Sequence, residues 1–302
     1  MKRYCLLYNP VAGKGKINTN LGDIVSLLSK NNIEATCFAS SKPGQIKEKA
    51  YHFDNDYYDV LLVCGGDGSL DEAISGLMLR KDYSDIKLAY IPAGTTNDFA
   101  NSLGIPFDSI KASKMIVKEK SLMCDIGRLN DDYFAYVAAF GMLTDIAYST
   151  PQDSKNILGY TAYMLQGASE LLKFNQIKPV HLQVECQQRK LEGDYAIGMI
   201  TNSRFVGGFK GITGKNVDLS DGLFEVTMIR MPNNLAQLPK IIANILSQDY
   251  SSEFVDHFQT SSLNIISTTP LKWTRDGEYG GEYTETNIVN IPRAINIITD
   301  QD

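Results

Sequence analysis

Apolar and polar positions follow two different rhythms along this chain. Over the first 120 residues, short apolar runs alternate with stretches at helical spacing. Tyr4-Cys5-Leu6-Leu7-Tyr8 reads as a buried strand, and Leu21, Ile24, Val25 and Leu28 then recur on one helix face. A second strand is predicted at 35–39, followed by Pro43-Gly44 and a polar helix reaching about Tyr51. Val60-Leu61-Leu62-Val63-Cys64 is continuously apolar, the pattern of a parallel strand covered on both faces. Leu70, Ala73, Ile74, Leu77 and Met78 mark the next helix, and a further strand is predicted at 87–91. This order predicts an α/β fold with an N-terminal doubly wound, mainly parallel sheet.

After about residue 125 the pattern changes. One long helix is predicted at 156–174, and the rest reads as strands. These are 181–187 paired with 195–201, then 224–230, 263–267, and a hairpin of 287–291 with 294–298. Strands in succession with polar turns predict a β-rich, antiparallel, sandwich-like domain. The expected domains are 1–124 and 125–291, with a segment at about 292–302 packing back on the first. The cleft between the halves is the expected site.

Composition narrows the partners. At 43% hydrophobic and 21% charged over 302 residues, the chain is a folded protein with enough length for a sizeable core. A net charge of −6, from 29 basic and 35 acidic residues, argues against a general nucleic-acid binder. No apolar run, 60–64 and 136–143 included, approaches the roughly 18 residues of a membrane span. A cytoplasmic location follows as the expectation, with any membrane met from its surface. The five cysteines form no CxxC pair and are expected to be buried thiols. Three scattered histidines argue against zinc.

Candidate chemistry concentrates in loops at the carboxyl ends of the first-half strands, where open α/β sheets collect ligands. Gly65-Gly66-Asp67-Gly68-Ser69 opens a helix whose free N–H groups suit a phosphate, and Asp67 suits Mg²⁺ or a ribose. The bland reading is a plain turn with Asp67 as a cap. Asn9-Pro10-Val11-Ala12-Gly13-Lys14 is a second glycine loop, with Lys14 either meeting phosphate charge or simply solvated. Gly94-Thr95-Thr96-Asn97-Asp98 is a third, where Thr or Asn serves equally well as a helix cap. In the second half, Asp276-Gly277-Glu278 is either a hairpin turn with exposed acids or a proton-accepting site. Asp218-Leu219-Ser220-Asp221-Gly222-Leu223 is either a turn or a hard-cation site.

Taken in order, the segments NPVAGKGK (9–16), GGDGS (65–69), IPAGTTNDFANSLGIP (91–106), SDGLFEV (220–226) and DGE (276–278) resemble the bacterial soluble diacylglycerol kinases and related lipid kinases. That family's catalytic domain is shared with sphingosine and ceramide kinases. The resemblance spans about residues 2–298 and implies ATP and Mg²⁺. It implies nucleotide contacts at Asn9, Pro10, Val11, Ala12, Gly13, Ser40, Gly65, Gly66, Asp67, Gly68, Ser69, Leu70, Asp71 and Thr95. It also implies a carboxylate network of Asp67, Asp98 and Asp125 with Lys14 beside it, and Glu278 as base supported by Asp276. A structural Mg²⁺ site would use Asp221 with oxygens of Asp218 and Leu223. Ser69, Ser40, Asp71 and Asn101 depart from the usual Thr, Thr, Asn and Arg, yet no required carboxylate is missing.

The implied reaction moves the γ-phosphoryl group of ATP to a lipid hydroxyl at a membrane surface, most simply that of diacylglycerol, giving phosphatidic acid. NAD kinase and a catalytically silent nucleotide- or lipid-binding regulator are the alternatives. A homodimer is a family-based expectation. Phe140, Met142 and Tyr160 either line the acceptor pocket or form core, and core is preferred. Lys155, Lys173, Arg204, Phe205, Phe209, Lys210 and Lys215 form a candidate basic-aromatic rim or are ordinary surface residues.

Overall fold

The structure is a computed structural model that describes residues 1–141, 179–210, 212–214, 217–232, 234, 237, 240–241, 244–245 and 247–301. The helix expected at 156–174, and Met142, Lys155, Tyr160, Lys173 and Lys215, lie outside these residues, as do the Lys14 and Phe209 side chains. The chain forms two compact units, Met1–Ile126 with Pro292–Asp302, and Gly127–Ile291.

The first unit comprises β1 (Lys2–Tyr8), α1 (Lys16–Lys30), β2 (Ile33–Ala39), α2 (Gln45–Tyr51), β3 (Val60–Gly65), α3 (Asp67–Leu77), β4 (Lys87–Pro92), α4 (Asp98–Ser102) and α5 (Ser109–Ile116). The strand β5 (Ser121–Leu129) leads out of it. Its strands pair in parallel in the order β4-β3-β1-β2. β3 is buried at every residue, as its unbroken apolar run requires when helices cover both faces. Ile17, Ile24 and Leu28 of α1, Leu70, Ala73, Ile74 and Leu77 of α3, and Ala112, Met115 and Ile116 of α5 fill the remaining core.

The second unit contains β6 (Asp132–Phe134), β7 (Val137–Gly141), β8 (Val180–Cys186), β9 (Arg189–Thr201), β10 (Phe205–Val206), β11 (Phe209–Lys210), β12 (Phe224–Arg230), β13 (Val255–Thr260), β14 (Ser262–Arg275) and the start of β15 (Glu278–Ile298). Its pairings are antiparallel: β13 with β12, β12 with β9, and β14 with β15. β7 and β8 both bridge β9 and β14, β8 along the first half of β9 and β7 along its second. The hairpin partner of β8 is therefore Arg189–Tyr195, and residues 197–201 pair with β7 and β12 instead. Phe134 stacks on Phe224, and Phe140 meets Trp273 edge-on at 5.1 Å, so Phe140 is a core residue.

Two further sequence expectations need correction. Residues 287–291 and 294–298 do not form a hairpin; they are one strand, β15. Its early part pairs with β14, while Asn296 and Ile297 pair in parallel with β4 in the first unit. Pro292 and Arg293, the latter at φ 52°, imitate a turn in sequence, but each half finds a different partner. The cysteines are all free, yet only Cys5, Cys64 and Cys124 are buried. Cys37 is exposed because β2 is the outermost strand of its sheet.

Candidate active site

In the first unit, the loops after β1, β3 and β4 are fastened to one another. The Asn9 N–H donates to the Cys64 carbonyl at 3.0 Å, and the Ala93 N–H donates to the Gly65 carbonyl at 2.7 Å. A Cβ on Gly94 would stand 2.7 Å from the Gly66 Cα, so these loops touch backbone to backbone. A Cβ on Gly13 would meet the Ala93 oxygen, which brings the first loop against the third. The result is a backbone-lined floor at the amino end of α3, the end of a helix that favours negative charge.

Asp67 is not the cap of that helix. It is the first helical residue, after Gly66, and its Oδ2 accepts the Thr96 hydroxyl at 3.1 Å and the Asn97 N–H at 2.9 Å. Asn97 does not cap α4 through its side chain either; that amide bonds Gly94 instead. The carboxylate of Asp98 is buried one residue further on. Asp125, fully buried in β5, accepts the Arg293 N–H at 2.7 Å and so fastens the returning C-terminal segment.

Other expected nucleotide contacts occupy the same loops. Asn9 Oδ1 accepts the Val11 N–H, which tightens the first turn around exposed Val11 and half-buried Pro10 and Ala12. Lys14 has its backbone in the turn Ala12–Gly15. Thr95 is exposed, Gly68 and Asp71 are half-buried at the start of α3, and Ser69 and Leu70 are buried beneath them. Ser40 lies at the end of β2, its N–H on the Tyr8 carbonyl at 2.8 Å.

In the second unit, Asp276 and Gly277 are the two central residues of the β14–β15 hairpin, with Arg275 opposite Glu278. Both have positive φ, 49° and 83°, the conformation that an Asp-Gly pair adopts in a two-residue turn. The two acids then part company. Asp276 is buried, and its carboxylate accepts the N–H groups of Ala135 at 2.6 Å, Tyr136 at 3.0 Å and Val137 at 2.9 Å. Burial pushes its pKa up to about 6, against the downward pull of those amides and of Arg275. Glu278 is exposed to solvent. One acid anchors the turn and the other stands free of the core at its rim.

Asp218 Oδ1 accepts the Ser220 N–H and hydroxyl, and Asp221 Oδ1 accepts the Leu223 N–H at 2.9 Å. The sequence reading missed Glu225, two residues beyond Leu223. It is 3% exposed; Oε1 takes the Gln259 amide while Oε2 is buried with no hydrogen-bond partner. Burial pushes its pKa up to about 7, with the charges of Asp221 and Asp218 adding to the effect. As the one acid in the otherwise uncharged start of β12, it was visible as an anomaly in sequence. Of the candidate rim, Arg204, Phe205 and Lys210 lie at the small β10–β11 hairpin, and Arg204 donates to the Val217 carbonyl.

Solved structures from Bacillus anthracis str. Sterne share the two-domain, strand-rich α/β fold. A diacylglycerol kinase superposes with a TM-score of 0.78 at 22% identity, covering 99% of this chain and 97% of that one. A second chain from that strain gives 0.84 at 23% identity, with the same coverage. Residues 3–129 match the diacylglycerol kinase catalytic domain, and residues 141–299 match the YegS C-terminal NAD kinase beta sandwich-like domain. The chain is 32% identical over 302 residues to the diacylglycerol kinase of Staphylococcus aureus (strain bovine RF122 / ET3-1), covering 100% of this chain and 93% of the relative. The enzyme of strain MRSA252 matches equally. The chain belongs to the diacylglycerol kinase family, and its role is that of a kinase, a phosphotransferase. None of its described helices is long and apolar enough to cross a membrane.

Proposed function

We propose that this protein transfers the γ-phosphoryl group of ATP to the hydroxyl of a membrane lipid, diacylglycerol first among the candidates, yielding phosphatidic acid. The observation that carries the reading is the Asp276-Gly277-Glu278 turn, where one carboxylate is occupied by three backbone amides and the next is left exposed. In this reading the domain of residues 1–124 binds the nucleotide and residues 125–291 handle the lipid. The glycine loops at 9–13 and 65–71 bring backbone close to the phosphates, with Lys14 adding charge and Ser40 and Thr95 contacting the nucleotide. Asp67, Asp98 and Asp125 form the carboxylate side of the nucleotide site. Glu278 takes the proton of the attacking hydroxyl, and Asp276 holds Glu278 in place.

The donor set also fits Mg²⁺, which would neutralise phosphate charge in a reaction governed by positioning and electrostatics. Asp221, with oxygens of Asp218 and Leu223, offers hard donors for a second ion, and the partnerless Glu225 Oε2 is an oxygen of the kind such an ion or its water satisfies. Association with the membrane is transient in this reading, and Arg204, Phe205 and Lys210 belong to the docking face. The test is a labelled-ATP assay against diacylglycerol and a mixed lipid extract, with NAD in a parallel reaction. A labelled phospholipid is expected. NADP formation, or no product from any lipid, would reject the proposal.

A further inference from the structure

β4 buries Leu88, Ala89, Tyr90, Ile91 and Pro92, and of these only Tyr90 carries a side-chain polar atom. A phenylalanine would fill the same space without having to satisfy a buried hydroxyl. That hydroxyl reaches the junction of two glycine loops, 3.0 Å from the Gly65 carbonyl and 3.3 Å from Asn97 Oδ1. Asn97 in turn brackets Gly94: Oδ1 accepts the Gly94 N–H at 2.9 Å, and Nδ2 donates to the Gly94 carbonyl at 2.9 Å. The amide orientation is fixed, because the Gly94 N–H can only donate and its carbonyl only accept. At φ 50°, a left-handed conformation that asparagine tolerates, Asn97 points its own N–H at Asp67 Oδ2. Hydrogen bonds thus run from the sheet core through Asn97 to the carboxylate of Asp67.

We propose that Tyr90 and Asn97 are positioning residues: they lock the Gly65-Gly66 and Gly94 loops together and set the orientation in which Asp67 meets a magnesium-bound nucleotide. The inference rests on the reading of these loops as the nucleotide site. Neither residue touches the nucleotide in this account; both act through backbone and through Asp67. Removing the Tyr90 hydroxyl orphans nothing, since the Gly65 carbonyl keeps the Ala93 N–H and Asn97 Oδ1 keeps the Gly94 N–H. Its loss is therefore expected to loosen the loops without unfolding the protein.

The experiment measures ADP affinity by calorimetry, with Mg²⁺ and with EDTA, alongside Tm, for the full-length wild type, Tyr90→Phe and Asn97→Gly. The glycine keeps the left-handed backbone and the N–H to Asp67 but deletes the bracket, so it also serves if the first variant folds poorly. Both variants are expected to weaken ADP·Mg²⁺ binding by roughly five- to tenfold. Binding in EDTA should change far less, and Tm should shift by no more than about 4 °C. Wild-type affinity in both variants overturns the inference, as does a loss equal with and without Mg²⁺, which would mark a merely structural role. A wild-type protein that binds no nucleotide would instead reject the function proposed above, an outcome distinct from either.

Discussion

Asp276 and Glu278 are two residues apart and chemically similar, yet the fold gives them opposite tasks. Glu278 is exposed, so Glu278→Ala should leave Tm essentially unchanged while lowering kcat by roughly 10²–10⁴-fold, the span of a lost general base. Steady-state kinetics on the proposed lipid, with a thermal melt on the same sample, checks both halves. Asp276 predicts a pH effect instead. Its folded pKa is raised from 3.8 to about 6, so the folded state holds its proton across that window while the unfolded state has released it. Stability owed to Asp276 therefore rises as pH falls through this range. The turn, however, needs the charged form to accept three N–H groups. Activity is expected to fall as pH drops through about 6 with no matching loss of Tm from this group. A pH–rate profile flat from pH 7 to 5 would contradict it.

At the level of elements, the contact between the loops after β3 and β4 has no room for a side chain. Gly94→Ala places a methyl 2.7 Å from the Gly66 Cα, and backbone cannot yield as a flexible side chain would. It should reduce ADP·Mg²⁺ affinity at least tenfold, roughly 1.4 kcal/mol or more, measured by calorimetry. The glycines themselves were legible in sequence, as were β3 and β12, because an apolar run or a turn motif is a local signal. What was not legible depends on who faces whom. Tyr90 looks like any aromatic residue in a strand, and Asn97 like any helix cap, until the fold sets them side by side. The same holds for β15, where Ile-Pro-Arg resembles a hairpin turn and only long-range pairing shows one continuous strand.

For the whole molecule, the discontinuous first unit matters most. Every glycine loop lies before residue 100, yet the unit is completed by Pro292–Asp302. That segment buries Ile295, Ile297 and Ile298, pairs with β4, and sends the Thr299 hydroxyl to the Leu103 carbonyl. At about 1.5–3 kcal/mol for each isoleucine, its removal takes away a large share of a typical 5–15 kcal/mol stability. A chain ending at Ile291 should therefore lose cooperative unfolding of the first unit and with it nucleotide binding, although no residue assigned to the nucleotide is missing. Circular dichroism melts and calorimetry test this, and retained binding would refute it.

Parallel pairing of β15 with β4 also bears on synthesis. On the ribosome, β1 to β4 emerge early, but the edge of β4 that receives Asn296 and Ile297 stays open until those two residues are made. At typical elongation rates that interval is on the order of ten to forty seconds. An unpaired, apolar strand edge invites pairing with other chains during that time. Chaperone cover or delayed compaction of the first unit would protect the nascent protein, and ribosome stalling shortly before codon 296 should expose the growing chain to aggregation.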